Sequence, residues 1–260
     1  MSITWEEKNM SNVLSISKYE LKMQLKNIGI WAIWAFAAAA ALWDNFPSEA
    51  NLNRLEFLSD QGYVVSRLLS HEGVLLLFGL MFLLADRIRG DGKKGTMELF
   101  MASPLSKAQY IWGKLLGNYA TLLLVMAVYL GIHAVAQYFY TPGPFTLLPY
   151  VVGLIAMCIP ACFFVSACSV ALPAVVDIRL CYVVFSVYFL MNSDFIYIEN
   201  SILRALYLFQ SDMLKLVYTY ESFETIMIQK LLWNLAFLLC AGLASMLLLQ
   251  GNRRYWRETA

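Results

Sequence analysis

The chain alternates between long apolar runs and short charged ones, and six such runs fill most of its 260 residues. About 20 consecutive apolar residues, wound as a helix, match the ~30 Å hydrocarbon layer of a bilayer. A helix is the form these runs must take there, because lipid offers no partner to a backbone amide. Spans are therefore expected at 28–46, 66–88, 107–139, 147–172, 180–198 and 229–250. The second is marginal: its purely apolar part, Glu72–Ala85, is short and needs the polar flank from Ser66 to reach across. Composition agrees, with 60% hydrophobic and 14% charged residues. A soluble domain carries about 25% charged residues. So little charge cannot cover a water-facing surface, which disfavours a soluble enzyme. The expected fold class is all-α integral membrane, as a single transmembrane domain over 1–260. A net charge of +1 gives no reason to expect nucleic acid.

Lys and Arg set the orientation. With the N-terminus inside, fourteen of the 19 fall on the cytoplasmic side and five outside. Both termini are thus expected in the cytoplasm. Glu6 and Glu7, with no apolar run before Ile28, argue against a signal peptide. Lys18, Lys22 and Lys26 repeat every fourth residue ahead of the first span, with Leu21, Leu25, Tyr19 and Met23 beside them. This pattern predicts a helix at about 13–26 lying on the inner interface, its lysines reaching to lipid phosphates. An ordinary basic flank is the other reading. On the outer side, Ile202, Leu203, Leu206, Phe209, Met213, Leu214 and Val217 recur near helical spacing. They predict short amphipathic or re-entrant helices between spans five and six.

Catalytic signatures are scarce. Gly90-Asp91-Gly92-Lys93-Lys94-Gly95-Thr96 lacks the spacing of a phosphate-binding loop and follows a span rather than a strand, so no ATP site is expected in this chain. Cys158, Cys162, Cys168, Cys181 and Cys240 all lie in apolar stretches without histidine or acid at ligand spacing, and read as small buried residues. No metal site or cofactor is expected. His71 and His133 do not make a persuasive haem pair. Asp44, Glu72 and Asp194 fall toward the outer ends of spans, where a charge costs little. Asp194, the deepest of them by this reading, is a candidate for the transport path.

Tyr182, Phe185, Phe189 and Asn192 are spaced three, four and three residues apart and share one helix face. With Trp34 of the first span they are a candidate cargo path for an amphipathic molecule. Lipid contact or dimer packing explains the same face.

The segment 86–114 is the most basic part of the chain. In it, Gly95 ends an irregular charged link, Thr96 is placed to cap a short helix, and Glu98 falls in its first turn, where the helix dipole favours an anion. Leu99, Phe100 and Met101 give that helix apolar surface, and Pro104 stops it. Ser106 is placed to cap the long helix that becomes span three. A short helix with exposed apolar residues, held between two spans, is a docking knob for another protein.

Gly95, Thr96, Glu98, Leu99, Pro104, Leu105, Ser106, Gly113 and Lys114 resemble the pattern between spans two and three of ABC-2-type transporter permeases. The layout of six spans, an interfacial helix and outer helices is similar too. The resemblance implies a transport subunit that is not itself an enzyme. Two permease copies, identical as a homodimer, would each engage a separate ABC ATPase that holds ATP and Mg. Thr96, Met97, Glu98, Leu99, Phe100, Met101 and Pro104 would form the coupling helix and its stop. The complex would sit among the lipids of a plasma membrane, the inner membrane of a bacterium. It would export an amphipathic or lipophilic cargo, peptide-like or antibiotic-like. The alternative class is a membrane carrier without ATP coupling, or a redox-complex subunit. A carrier should show inverted repeats with paired broken helices. Pro160 has no counterpart in the first half, and the histidines are not paired as a redox subunit requires.

Overall fold

The computed structural model describes residues 5–46, 48–54, 60–85, 105–140, 144–192, 207–209 and 225–251, and no strand occurs among them. The element order is α1 (Trp5–Leu25), α2 (Ile28–Asn45), α3 (Glu49–Arg54), α4 (Gln61–Leu68) running through a π-helical turn at Leu69–Gly73 into α5 (Val74–Ala85), and α6 (Lys107–Tyr140). After these come α7 (Leu148–Val152), a second π-helical stretch at Gly153–Cys158, α8 (Ile159–Val175), α9 (Ile178–Asn192) and α10 (Thr225–Gly251).

Among the described residues, five helices are long and apolar enough to cross a membrane: Ile28–Asn45, Gln61–Ala85, Lys107–Tyr140, Leu148–Val175 and Leu232–Gly251. Six were expected. The expected fifth span, 180–198, is described only as α9, whose 15 residues give about 22 Å of helix, short of a ~30 Å hydrocarbon layer. Its remainder lies outside the described residues.

Side-chain caps set the helix starts. Asn27 Oδ1 accepts from Gly29 N at 3.0 Å and begins α2, and Asp60 Oδ1 accepts from Gly62 N at 2.8 Å and begins α4. The corner between α1 and α2 is closed by Trp31, whose Nε1 donates to Leu25 O at 2.7 Å. Pro160 sits in the first turn of α8, directly after the π-helical stretch. Proline removes an amide hydrogen bond and crowds the turn before it, and a wider turn there accommodates both effects.

Helix α5 is the centre of the bundle, with α2, α6, α8 and α9 all packed against it. Its Leu76, Leu77, Leu80, Met81 and Leu84 are fully buried. Helix α10 lies against α8. The outer-facing valines and leucines of α9, among them Val183 and Val187, stay exposed, as lipid-facing residues would be. Of the cysteines, four are buried as expected, whereas Cys240 is exposed on α10.

Helix α6 has 34 residues and is about 50 Å long, well beyond a bilayer's hydrocarbon layer. The end of the bundle where α6 begins carries α1; the far end carries α3, the start of α4 and residues 207–209.

Candidate functional site

The segment expected to dock a partner, with Thr96, Met97, Glu98, Leu99, Phe100, Met101 and Pro104, lies outside the described residues. So does Asp194. The start of α6, just after that segment, is described. Ser106 Oγ accepts from Gln109 N at 3.2 Å, and Gln109 Oε1 accepts from Ser106 N at 2.8 Å. This reciprocal pair is a capping box, and it fixes the angle at which the chain enters α6. The expected cap at Ser106 is thus present, and Gln109, three residues on in the S-x-x-Q spacing of a capping box, strengthens it.

Immediately beyond the cap, α1 docks along the first turns of α6. The junction is built on missing side chains. A Cβ on Gly113 would lie 2.7 Å from Ile16 Cβ, and one on Gly117 would lie 2.6 Å from Glu20 Cβ. Only glycine at both positions lets the two backbones come this close. Gly113 and Gly117 stand four apart, the small-residue spacing that brings membrane helices together.

Polar groups seal the contact. Lys114 Nζ lies 3.0 Å from Glu20 Oε2, with both residues almost wholly buried. Gln24 Nε2 donates to Glu20 Oε1 at 3.1 Å and also to Asn118 Oδ1. Glu20 and Gln24 are one turn apart on α1, as Lys114 and Asn118 are on α6, so the two helices match turn for turn. The lysines that dominate the sequence, Lys18, Lys22 and Lys26, point away from this junction and are exposed. The interfacial expectation for α1 needs correction on two points. The helix starts at Trp5 rather than near 13, and its inward face is polar and clamped to α6 rather than simply resting on a surface.

Sequence reasoning missed Glu20 and Gln24, which were overshadowed by the lysine stripe. The signal that could have found the junction is the Gly113-x-x-x-Gly117 spacing, with Lys114 inside it in an otherwise apolar run.

The aromatic face of α9 is turned inward. Phe82 of α5 lies 5.5 Å from the Tyr182 ring and 6.0 Å from Phe185, and Phe78 lies 5.0 Å from Phe189. These are offset and edge-on contacts of the kind aromatic rings favour. Asn192 is buried at the far end of the seam. Its Nδ2 donates to Tyr188 O at 2.9 Å, and its Oδ1 accepts from Leu208 N at 2.6 Å. Asn234 Nδ2 in turn donates to Tyr207 O at 2.7 Å. Residues 207–209 are thereby pinned between α9 and α10, with Leu208 and Phe209 buried. They form a bend; the rest of the expected outer helices lies outside the described residues. Trp34 is partly buried on α2, its ring 6.1 Å from Trp31, and its indole N–H has no hydrogen-bond partner among the described residues.

No group of three or more His, Cys, Asp or Glu residues suited to a metal ion occurs among the described residues. The four buried cysteines pack in apolar surroundings.

These features define a polytopic helical membrane protein with a 21-residue N-terminal helix clamped to the start of its longest helix. A family model described as ABC-2 family transporter protein matches residues 14–198, which is most of the chain, and the protein belongs to that family. No curated protein and no solved structure matches it. As an ABC-2 permease the chain is a transmembrane transport component and not the catalytic subunit; permeases of this kind generally pair with ABC ATPase subunits.

Proposed function

We propose that this permease works as an exporter subunit in which the α1 end faces the cytoplasm and the segment 96–103 docks an ABC ATPase. The observation that supports this reading is the rigidity of what the segment is attached to. The Ser106–Gln109 box fixes the start of α6, two residues beyond Pro104 in the sequence. The glycine-mediated contact and the Glu20–Lys114 pair then tie α6 to α1. A push on the docking segment would therefore move α6 and α1 together.

Two permease copies would each engage one ATPase. The cargo is amphipathic or lipophilic, because the candidate path is aromatic. It runs along the seam between α5 and α9, past Tyr182, Phe185 and Phe189, with Asn192 at its far end and Trp34 on the neighbouring α2. Opening that seam means separating α9 from Phe78 and Phe82.

The test is purification of the tagged full-length chain from its native host in a gentle detergent, with ATPase assay of what accompanies it. A stoichiometric nucleotide-binding subunit, lost in Leu99→Asp while the permease still folds, is the expected result. Retention of a fully active ATPase by Leu99→Asp would overturn the assignment of the docking segment.

A further inference from the structure

The far end of the bundle holds a second buried polar seam that the transport reading does not use. Gln137 Nε2 donates to Asn45 O at 3.2 Å, and one turn deeper His133 Nε2 stands 3.4 Å from Ala41 O. Asn45 Nδ2 donates to the same Ala41 O at 3.3 Å and lies 3.4 Å from Glu72 Oε2. Tyr129, His133 and Gln137 form one stripe of α6, so three spans meet here: α2, α6 and the helix carrying the Leu69–Gly73 π turn. Glu72 sits within that π turn. Such turns recur at functional sites, because they turn a side chain away from regular helical register. Sequence position suggests that Glu72 lies at a wet outer edge. The structure corrects this: the span begins at Gln61, so Glu72 is half-way along it, and it is buried at 8% exposure.

Charge accounting leaves Glu72 without a cation. Arg54 Nη2 lies 2.7 Å from Asp44 Oδ1, and Arg67 is paired with the other oxygen of the same carboxylate. Among the described residues Glu72 makes no ion pair. Three further polar atoms of the seam are fully buried with no hydrogen-bond partner among the described residues: Asn45 Oδ1, His133 Nδ1 and the Tyr129 hydroxyl. Ala41 O can only accept, so His133 Nε2 carries the proton and Nδ1 of the neutral ring is an acceptor. A buried carboxylate in the same seam as three buried polar atoms without partners is costly as it stands. The complement is a cation that brings several N–H donors.

We infer that this seam is a binding site for a protonated primary amine or ammonium ion, with Glu72 supplying the charge and Asn45, His133 and Tyr129 the neutral acceptors. A hard ion such as sodium is a poorer fit, because it favours a shell of oxygens and the imidazole nitrogen contributes little to it. A bare proton on Glu72 would satisfy one acceptor and leave the others unpaired. The Asp44 carboxylate, one residue before Asn45, is partly exposed. The inference does not depend on the exporter reading, and its test needs neither cargo nor ATPase.

The test is thermal unfolding of the full-length chain in detergent micelles, followed by tryptophan fluorescence. Chlorides of ammonium, methylammonium, sodium and tetramethylammonium are compared at equal ionic strength. Ammonium or methylammonium at saturation is expected to raise the midpoint by about 2–4 °C over tetramethylammonium, which has the charge but no N–H. The rise disappears in Glu72→Gln. In Tyr129→Phe, which keeps the packing, it needs roughly tenfold more salt. A response to ammonium alone assigns the site to the free ion, and a response to both assigns it to amine-bearing molecules. Equal stabilisation by sodium or tetramethylammonium, or a full response in Glu72→Gln, overturns the inference. So does unchanged affinity in Tyr129→Phe.

Discussion

Helix α6 meets a buried glutamate near each of its ends, and the two are treated differently. At the α1 end, Glu20 is matched to Lys114 and backed by Gln24. At the far end, Glu72 has only an asparagine amide at 3.4 Å, and unpaired acceptors lie nearby. The first arrangement is closed, and its charges hold two helices in one register. The second is chemically open and suits a ligand better than a joint. A buried charge is therefore not evidence for one role; the role depends on whether the protein supplies its counterion.

The contrast is tested most severely at Lys114. Lys114→Ala leaves Glu20 charged and buried and should cost about 3–5 kcal/mol, read as a lowered unfolding midpoint and loss of the α1 contact. Replacing both Glu20 and Lys114 by Met should recover most of that loss; if it does not, the pair is more than a matched charge. Gly117→Leu should come next, at about 1–3 kcal/mol, because its side chain must displace α1. Cross-linking between cysteines placed on α1 and α6 would report the separation. Glu72→Gln should be the mildest, within about 1 kcal/mol of the parent, since it removes an uncompensated charge and keeps the shape. A loss as large as that of Lys114→Ala would mean that Glu72 is structural after all and would erase the distinction.

Much of the bundle was legible in the sequence, because apolar runs of bilayer length leave little choice of fold. The starts of α2 and α6 were also readable, the latter down to Ser106. The polar seams were not, for a shared physical reason. Hydropathy along a chain reports what a segment is made of, not which neighbour it faces. Ser66 and Glu72 read as a polar flank at the outer end of their span, yet both are buried. The lysines of α1 drew attention to its exposed side, whereas its docked side carries Glu20 and Gln24. For the aromatic face of α9, the spacing identified the face correctly as a unit. What it could not supply was the opposing surface, Phe78 and Phe82 of α5.

The hydrogen bonds between α2 and α6 repeat with one offset: Ala41 pairs with His133 and Asn45 with Gln137, each 92 residues apart. The two helices are thus in step at one extremity, while α1 grips the other. Mechanically this makes α6 a lever with a handle at one end and a fixed coupling at the other. Over its 34 residues, a tilt of about 5° displaces the tip by on the order of 4 Å. From the α1 contact at Gly117 to His133 the arm is only about 24 Å, so the same tilt would shift the glutamate seam by about 2 Å, enough to break a hydrogen bond there.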